Sequence, residues 1–284
     1  MENLTISNAE YRTMEGISAS DLKRMVKSMA HWKYSKEHPD EGDSADLKFG
    51  RAYHKLMLEP DDFNNEFVVS PKIDKRTKEG KEEYARFLVK AGNKEVIDEE
   101  TYQKLLDMKK ELYKTPFVKL LIKGEHEKSF FWTDAETGIK CKCRPDSFGQ
   151  IKDQYICIDL KTTKDAETDH FMRDAIKLGY DIQASHYTQG LESTYGKNFK
   201  FIFIAQEKTA PYLVNVLEAD EYFMASGKEL RSILLNKYKE CVENDVWPGY
   251  MDENNGINSL SVPAWLKDSV TLDNEEEDTK GAFE

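Results

Sequence analysis

The sequence is poor in the features that mark several protein classes. Cysteine is scarce, four in 284 residues, and no two are spaced C-x-x-C, which argues against a zinc site. With no secretory context, so few thiols suggest a reducing cytoplasm and free side chains. No Gly-rich Walker-type loop is present, so an ATP-driven motor is not encoded. The longest apolar runs, such as Phe199 to Ala205, fall far short of the roughly 20 residues that cross a bilayer. Asn3 to Glu10 is polar and no apolar stretch follows, so no signal peptide is expected. Internal repeats and Ser/Gly-rich linkers are missing too.

Acidic residues are plentiful. Lys and Arg number 41 against 53 Asp and Glu, a formal charge of −12. Seven acidic residues and one lysine lie between Asp268 and Glu284, so half of that charge sits in the last 17 positions. The balance therefore does not exclude nucleic acid as a partner, because binding follows local charge. Basic residues cluster at Lys72, Lys75, Arg76, Lys78 and Lys81, and again at Lys140, Lys142 and Arg144. The bland reading of each cluster is a solvated face, and only for Lys72 to Lys81 do the two readings weigh equally.

Periodicity divides the chain. Residues 1–120 read as mainly helical, with a helix capped by Ser18 or Ser20 and others over Lys48–Leu58, Lys78–Val89 and Glu99–Tyr113. Near Glu127 the period changes. Lys128–Thr133, Ile139–Arg144 and Gln150–Thr162 read as a three-stranded meander. Helices over Lys164–Leu178 and Ile182–Tyr195 follow, then a buried strand from Phe199 to Ala205, a strand over Tyr212–Leu217 and a long helix over Asp220–Glu243. The expected fold class is α/β, a mixed central sheet with flanking helices. One domain is expected over 1–266, its core within 121–250, with a disordered acidic tail over 267–284.

The constellation that carries chemistry is Arg144-Pro145-Asp146, then twelve residues, then Asp159-Leu160-Lys161. On a strand, positions i and i+2 share a face, so Asp159 and Lys161 project together while Leu160 turns to the core. Asp146 ends the preceding strand and can lie beside them. Such carboxylates on an apolar strand are costly unless paired or bound to metal. Oxygen ligands of this kind suit Mg²⁺ or Mn²⁺, and one or two ions serve phosphodiester hydrolysis. Lys161 would hold or deprotonate the attacking water, or neutralise developing phosphate charge, and partial desolvation would lower its pKa.

These blocks resemble a family. Pro145-Asp146 with Asp159-Leu160-Lys161 looks like the PD-(D/E)XK nuclease signature. Gln183-Ala184-Ser185-His186-Tyr187 fits the Q-x-x-x-Y motif of the RecB-type branch, and Phe49 to His54 resembles its upstream helix. Gly16 to Ser20, followed by Ala30-His31-Trp32, is similar to the start of RecE and lambda-type exonucleases.

The resemblance implies a restriction-endonuclease-like core and a set of roles. Asp146 and Asp159 would hold metal, joined by the Leu160 carbonyl, by His54 and by Glu127, with Glu125 a competing choice. Lys161 would be catalytic, with Gln183 and Tyr187 orienting it or contacting DNA. Ser18, Ser20 and Arg51 would meet a terminal 5′-phosphate. Some RecB-type nucleases carry an iron–sulfur cluster, but the downstream cysteine cluster it needs is lacking, and all four cysteines read as packing residues. The implied activity is degradation of one strand of linear double-stranded DNA from its 5′ end. The alternatives are a structure- or sequence-specific endonuclease of the same fold, or an inactive binding module. The implied partners are other copies of the chain in a ring of three or four and a single-strand annealing protein of the RecT or Beta type. The implied location is the cytoplasm, that of the host if the chain is phage-encoded.

Overall fold

Alternation along Gln154–Thr163 decides the architecture. Ile156, Ile158 and Leu160 enter one apolar cluster, with Tyr53, Leu56, Met57, Leu105 and Met108. Cys157 enters another, with Leu22, Met25, Ile182, Leu191 and Leu235. A strand buried on both faces needs helices on both, and the result is a three-layer sandwich.

A computed structural model describes residues 2–4, 6–39, 44–251, 257–263 and 267. The acidic tail expected over 267–284 lies outside the described residues apart from Lys267. One unit spans Met1–Trp247 and a second Pro248–Glu284. The first half of the chain holds β1 (Glu2–Leu4), α1 (Asn8–Thr13), α2 (Ala19–Lys27), α3 (Met29–Glu37), α4 (Ala45–Leu58) and α5 (Phe63–Glu66). Next come β2 (Phe67–Ser70), α6 (Lys78–Ala91), β3 (Glu95–Asp98), α7 (Glu99–Leu112) and α8 (Pro116–Leu121). The central strands are β4 (Glu125–His126), β5 (Ser129–Thr133), β6 (Lys140–Cys143), β7 (Ser147–Ile151) and β8 (Gln154–Thr163). The chain continues through α9 (Thr168–Lys177), α10 (Tyr180–Tyr195), β9 (Phe199–Glu207), β10 (Val214–Glu218) and α11 (Glu221–Asn244).

The main sheet has the order β10-β9-β8-β7-β4. β8 and β9 pair in parallel, the other neighbours antiparallel. Parallel pairing requires a crossover, which α9 and α10 provide. A second sheet, β1-β5-β6, and a parallel pair, β2-β3, stand apart.

The expected meander is therefore corrected. Its first two strands, β5 and β6, belong to the second sheet, and the chain leaves that sheet at Arg144-Pro145. Pro145 has no N–H to continue a ladder. The segment read as one strand from Gln150 to Thr162 is the end of a hairpin, β7 into β8. Its turn holds Lys152 at φ +54°, a left-handed conformation that sequence reading assigns to Gly or Asn. The β2-β3 pair was not expected either, at four residues a strand.

The N-terminal region is mainly helical, as the spacing predicts, but it is stitched to the strands. Ile17 exchanges backbone hydrogen bonds with Lys140 and Lys142. Lys142 is buried and donates to the Tyr11 and Met14 carbonyls, at 3.0 and 2.5 Å. It thus satisfies carbonyls left open at the end of α1. Lys140 pairs with Glu15 and Arg144 with Glu127, so this basic cluster is a set of internal tethers rather than a free face.

Behind α10 lies a buried polar link. Arg231 of α11 pairs with Asp134, and its Nε donates to His186 Nδ1 at 3.4 Å. His186 Nε2 in turn lies 3.1 Å from the carbonyls of Ile17 and Lys142. Burial and the Arg231 charge hold the imidazole neutral, with a pKa near 3. Arg231→Met strands a buried carboxylate, so we expect a loss of about 3–5 kcal/mol of stability. Denaturant unfolding monitored by circular dichroism measures it.

Candidate active site

The β7–β8 hairpin sets the acidic pair. Ser147 lies opposite Ile158, so carrying the register one residue further places Asp146 opposite Asp159. Both are buried, Asp159 to 1% exposure. Two carboxylates brought this close raise each other's pKa unless cations intervene.

His54 intervenes from α4. That helix buries Ala52, Tyr53, Leu56 and Met57, which turns His54 over β8. Its Nδ1 lies 3.4 Å from Asp146 Oδ1 and its Nε2 bonds the Leu160 carbonyl at 2.9 Å. Burial works to lower the His54 pKa, but Asp146, then Glu127 and Asp159, push it up to about 9. For Asp146 burial works to raise the pKa. The His54 charge, Lys161 and the Leu160 N–H, which donates at 2.6 Å, hold it below the ordinary carboxylate range.

Glu127 reaches the same place where the chain passes from β4 in the main sheet to β5 in the second. Its φ is +50°, a strained conformation for a residue with a side chain. Its N–H donates to the Asp146 carbonyl at 3.3 Å and its Oε2 accepts from Arg144 Nε at 2.8 Å. Burial, then Asp146, pushes its pKa up to about 7. Glu125, the competing choice, instead pairs with Lys128 on the surface.

Ligand atoms of His54, Glu127 and Asp146 lie within 4.8 Å of one another. Asp159 is not in that group; it is held by its neighbours on the other side. Lys161 Nζ lies 2.5 Å from its Oδ2, and Gln183 Nε2 donates to its Oδ1 at 2.5 Å. The Lys161 contact is an ion pair without hydrogen-bond geometry, and Oδ2 is buried with no hydrogen-bond donor. The imidazole of His54 and the carboxylates of Glu127 and Asp146, with Asp159 adjoining, make a donor set that fits a hard divalent cation. The Leu160 carbonyl accepts from the His54 N–H.

Burial and the Asp146 charge raise the Asp159 pKa, against the opposing pull of Lys161. The expectation for Lys161 is reversed. Burial does work to lower its pKa, but Asp159 outweighs it and the ammonium is held above its ordinary value.

The remaining expected residues divide. Gln183 meets Lys161 at 3.3 Å as well as Asp159. Tyr187 shares its helix but packs its ring 6.4 Å from Phe201, and burial raises its pKa well above the ordinary range. Ser18 is the N-cap of α2, its hydroxyl bonding Asp21 at 2.6 Å in a capping box. Ser20 is exposed on the first turn of α2. Arg51 is not brought to the site; its guanidinium holds Glu95 through two bonds of 2.8 and 2.7 Å. Lys23 was missed. It reaches Gln183 Oε1 at 2.6 Å from α2, where it reads as one more polar residue of an amphipathic helix.

This fold and this grouping of acids, histidine and lysine define a member of the PD-(D/E)XK nuclease superfamily. The family model described as a PDDEXK-like domain of unknown function (DUF3799) matches residues 18–259, and the chain belongs to that family. A crystal structure from Eubacterium rectale, described as "Putative exonuclease", aligns over 95% of this chain and all of its own. Its TM-score is 0.62 and its identity 13%, a likeness of fold. A second solved structure, SSO0001, aligns over 81% of each chain at 13% identity with a TM-score of 0.37. No curated protein matches the sequence.

Protons occupy His54 and Glu127, with pKa values of about 9 and about 7, before an ion does. Metal must displace both, so affinity for Mn²⁺ should rise with pH from 6 and level off above about 9. Titration calorimetry over that range checks it. A pH-independent affinity would remove both residues from the ligand set.

Proposed function

We propose that this protein is a metal-dependent DNA exonuclease that degrades one strand of a linear duplex from its 5′ end and leaves a 3′ single strand. The observation that carries the reading is the meeting of His54, Glu127 and Asp146 within 4.8 Å, beside the Asp159–Lys161 pair. Support for an exonuclease comes from the RecE-like block at Gly16–Ser20 with Ala30-His31-Trp32, and the RecB-type motif at Gln183–Tyr187 supports the nuclease branch. The fold neighbour described as an exonuclease agrees with it.

His54, Glu127 and Asp146, with Asp159 beside them, would hold one or two Mg²⁺ or Mn²⁺ ions. Bound there, a divalent ion activates water and stabilises charge on the phosphate in flight. Lys161 enters as a cation, since its pKa is raised rather than lowered. Its role would then be to stabilise charge on the phosphoryl oxygens. Gln183 holds Asp159 and Lys161 in one geometry. The resemblance to RecE also supports a ring of three or four copies, which would keep the enzyme on its DNA, and a RecT- or Beta-type annealing partner for the 3′ strand.

Linear duplexes labelled at either end, with and without a 5′-phosphate, test the activity and its polarity together. Loss of the 5′ label first, with closed circles left intact, is the expected result; nicked circles would assign an endonuclease. Asp159→Asn keeps the shape and removes a charge the fold disfavours. Nucleotide release should fall by at least about 100-fold in protein whose circular dichroism spectrum shows it folded. Lys161→Met should lower kcat while leaving the affinity for DNA within about threefold.

A further inference from the structure

Gln183 is served by two lysines, not one. Lys161 Nζ approaches its Oε1 at 3.3 Å from β8, and Lys23 Nζ donates to the same oxygen at 2.6 Å from α2. The carboxamide nitrogen donates to Asp159 Oδ1 at 2.5 Å. The Tyr180 ring lies against both ammonium groups, its centroid 4.8 Å from Lys23 and 4.6 Å from Lys161. The Lys23 stem packs over Gly179, where an added Cβ would come within 3.2 Å of its Cγ. Gly179 is thus the residue that lets the lysine lie flat across the start of α10.

A primary amide has two ends of nearly equal shape and opposite polarity. Here only one orientation bonds all three neighbours. Reversal would face the NH₂ toward two amines and the oxygen toward a carboxylate. Lys161 is a poor guarantor of that orientation, because its contact is the longer and Asp159 competes for the same ammonium. Lys23 makes the shorter bond, and among the described residues no carboxylate pairs with it.

Burial and the neighbouring Lys161 lower the Lys23 pKa to about 7, against the pull of Asp159 and Asp181. A neutral amine still donates, so the bond to Gln183 survives in either form.

We propose that Lys23 is a positioning residue of the nuclease site: it locks the Gln183 carboxamide in the orientation that ties Asp159 to Lys161. The effect on rate rests on the nuclease reading above; the orientation of the amide does not. On this assignment the helical N-terminal region supplies the site with a second group besides His54.

Three variants test it: Lys23→Met, Gln183→Ala and the two combined. In protein labelled with [¹⁵N]glutamine, the side-chain amide signals lost in Gln183→Ala identify Gln183. Those signals should move in Lys23→Met while the other glutamines hold still. In the nuclease assay Lys23→Met should lower kcat about tenfold with KM for linear duplex within about twofold. In the Gln183→Ala background it should add less than about twofold, because the two act as one unit.

Unmoved amide signals would overturn the proposal. So would a rise in KM at constant kcat, or effects that multiply in the double variant, each of which marks an independent contact with DNA. Lys23→Gln, too short to reach the amide, gives the same readings if the Met variant does not fold. If the unmodified protein releases no nucleotides with Mg²⁺ or Mn²⁺, the nuclease reading fails, and the amide signals alone decide the role of Lys23.

Discussion

Negative charge crowded into a place with little water is the constraint that organises this molecule. Glu127, Asp146 and Asp159 converge where His54, Lys161 and Arg144, with Lys23 just behind, carry the opposing charge. The fold accommodates them by favouring protonation: the His54 pKa is pushed up, and Glu127 and Asp159 are pushed toward their neutral forms. Groups coupled this tightly titrate as a set. Each surrounding element then has a recognisable task. α4 sets an imidazole over β8, the hairpin register faces two acids, and α10 brings an amide to the second of them.

The site also lies on a seam. The chain crosses between the main sheet and the β1-β5-β6 sheet at Glu127 and crosses back at Arg144-Pro145. These crossings adjoin, linked by the Glu127 N–H to the Asp146 carbonyl and by Arg144 to Glu127. Strand ladders break at such crossings, which frees Glu127 and Asp146 from the regular up-and-down alternation and lets both reach His54. The positive φ of Glu127 is the local cost.

Much of this was legible in the sequence, for identifiable reasons. Two-residue alternation is strict, so Asp159 and Lys161 had to share a face and Leu160 had to oppose them. The twelve-residue interval back to Asp146 is the length of a hairpin, although the hairpin itself went unread because Lys152 gives no turn signal. Partnerships across the chain were not legible. Arg51 has the shape of a phosphate-binding residue, yet nothing near it in sequence announces Glu95. Lys142 looked like surface charge and is a buried plug for the carbonyls of α1. The Lys161 pKa was misjudged because burial was weighed without the acid 2.5 Å away. Lys23 was invisible because its partner lies 160 positions downstream.

The four cysteines have a practical bearing that goes beyond their place in the core. All are free and buried, and burial raises every thiol pKa, that of Cys141 to about 12. Thiolates react and thiols scarcely do, so alkylating reagents have no ready target on the closed protein. Modification of Cys141, Cys143 and Cys157 on the strands must wait until the layers part, and its rate becomes a clock for opening that needs no engineered label. A single cysteine placed on the outside would, for the same reason, accept a dye or a cross-linker against a silent background.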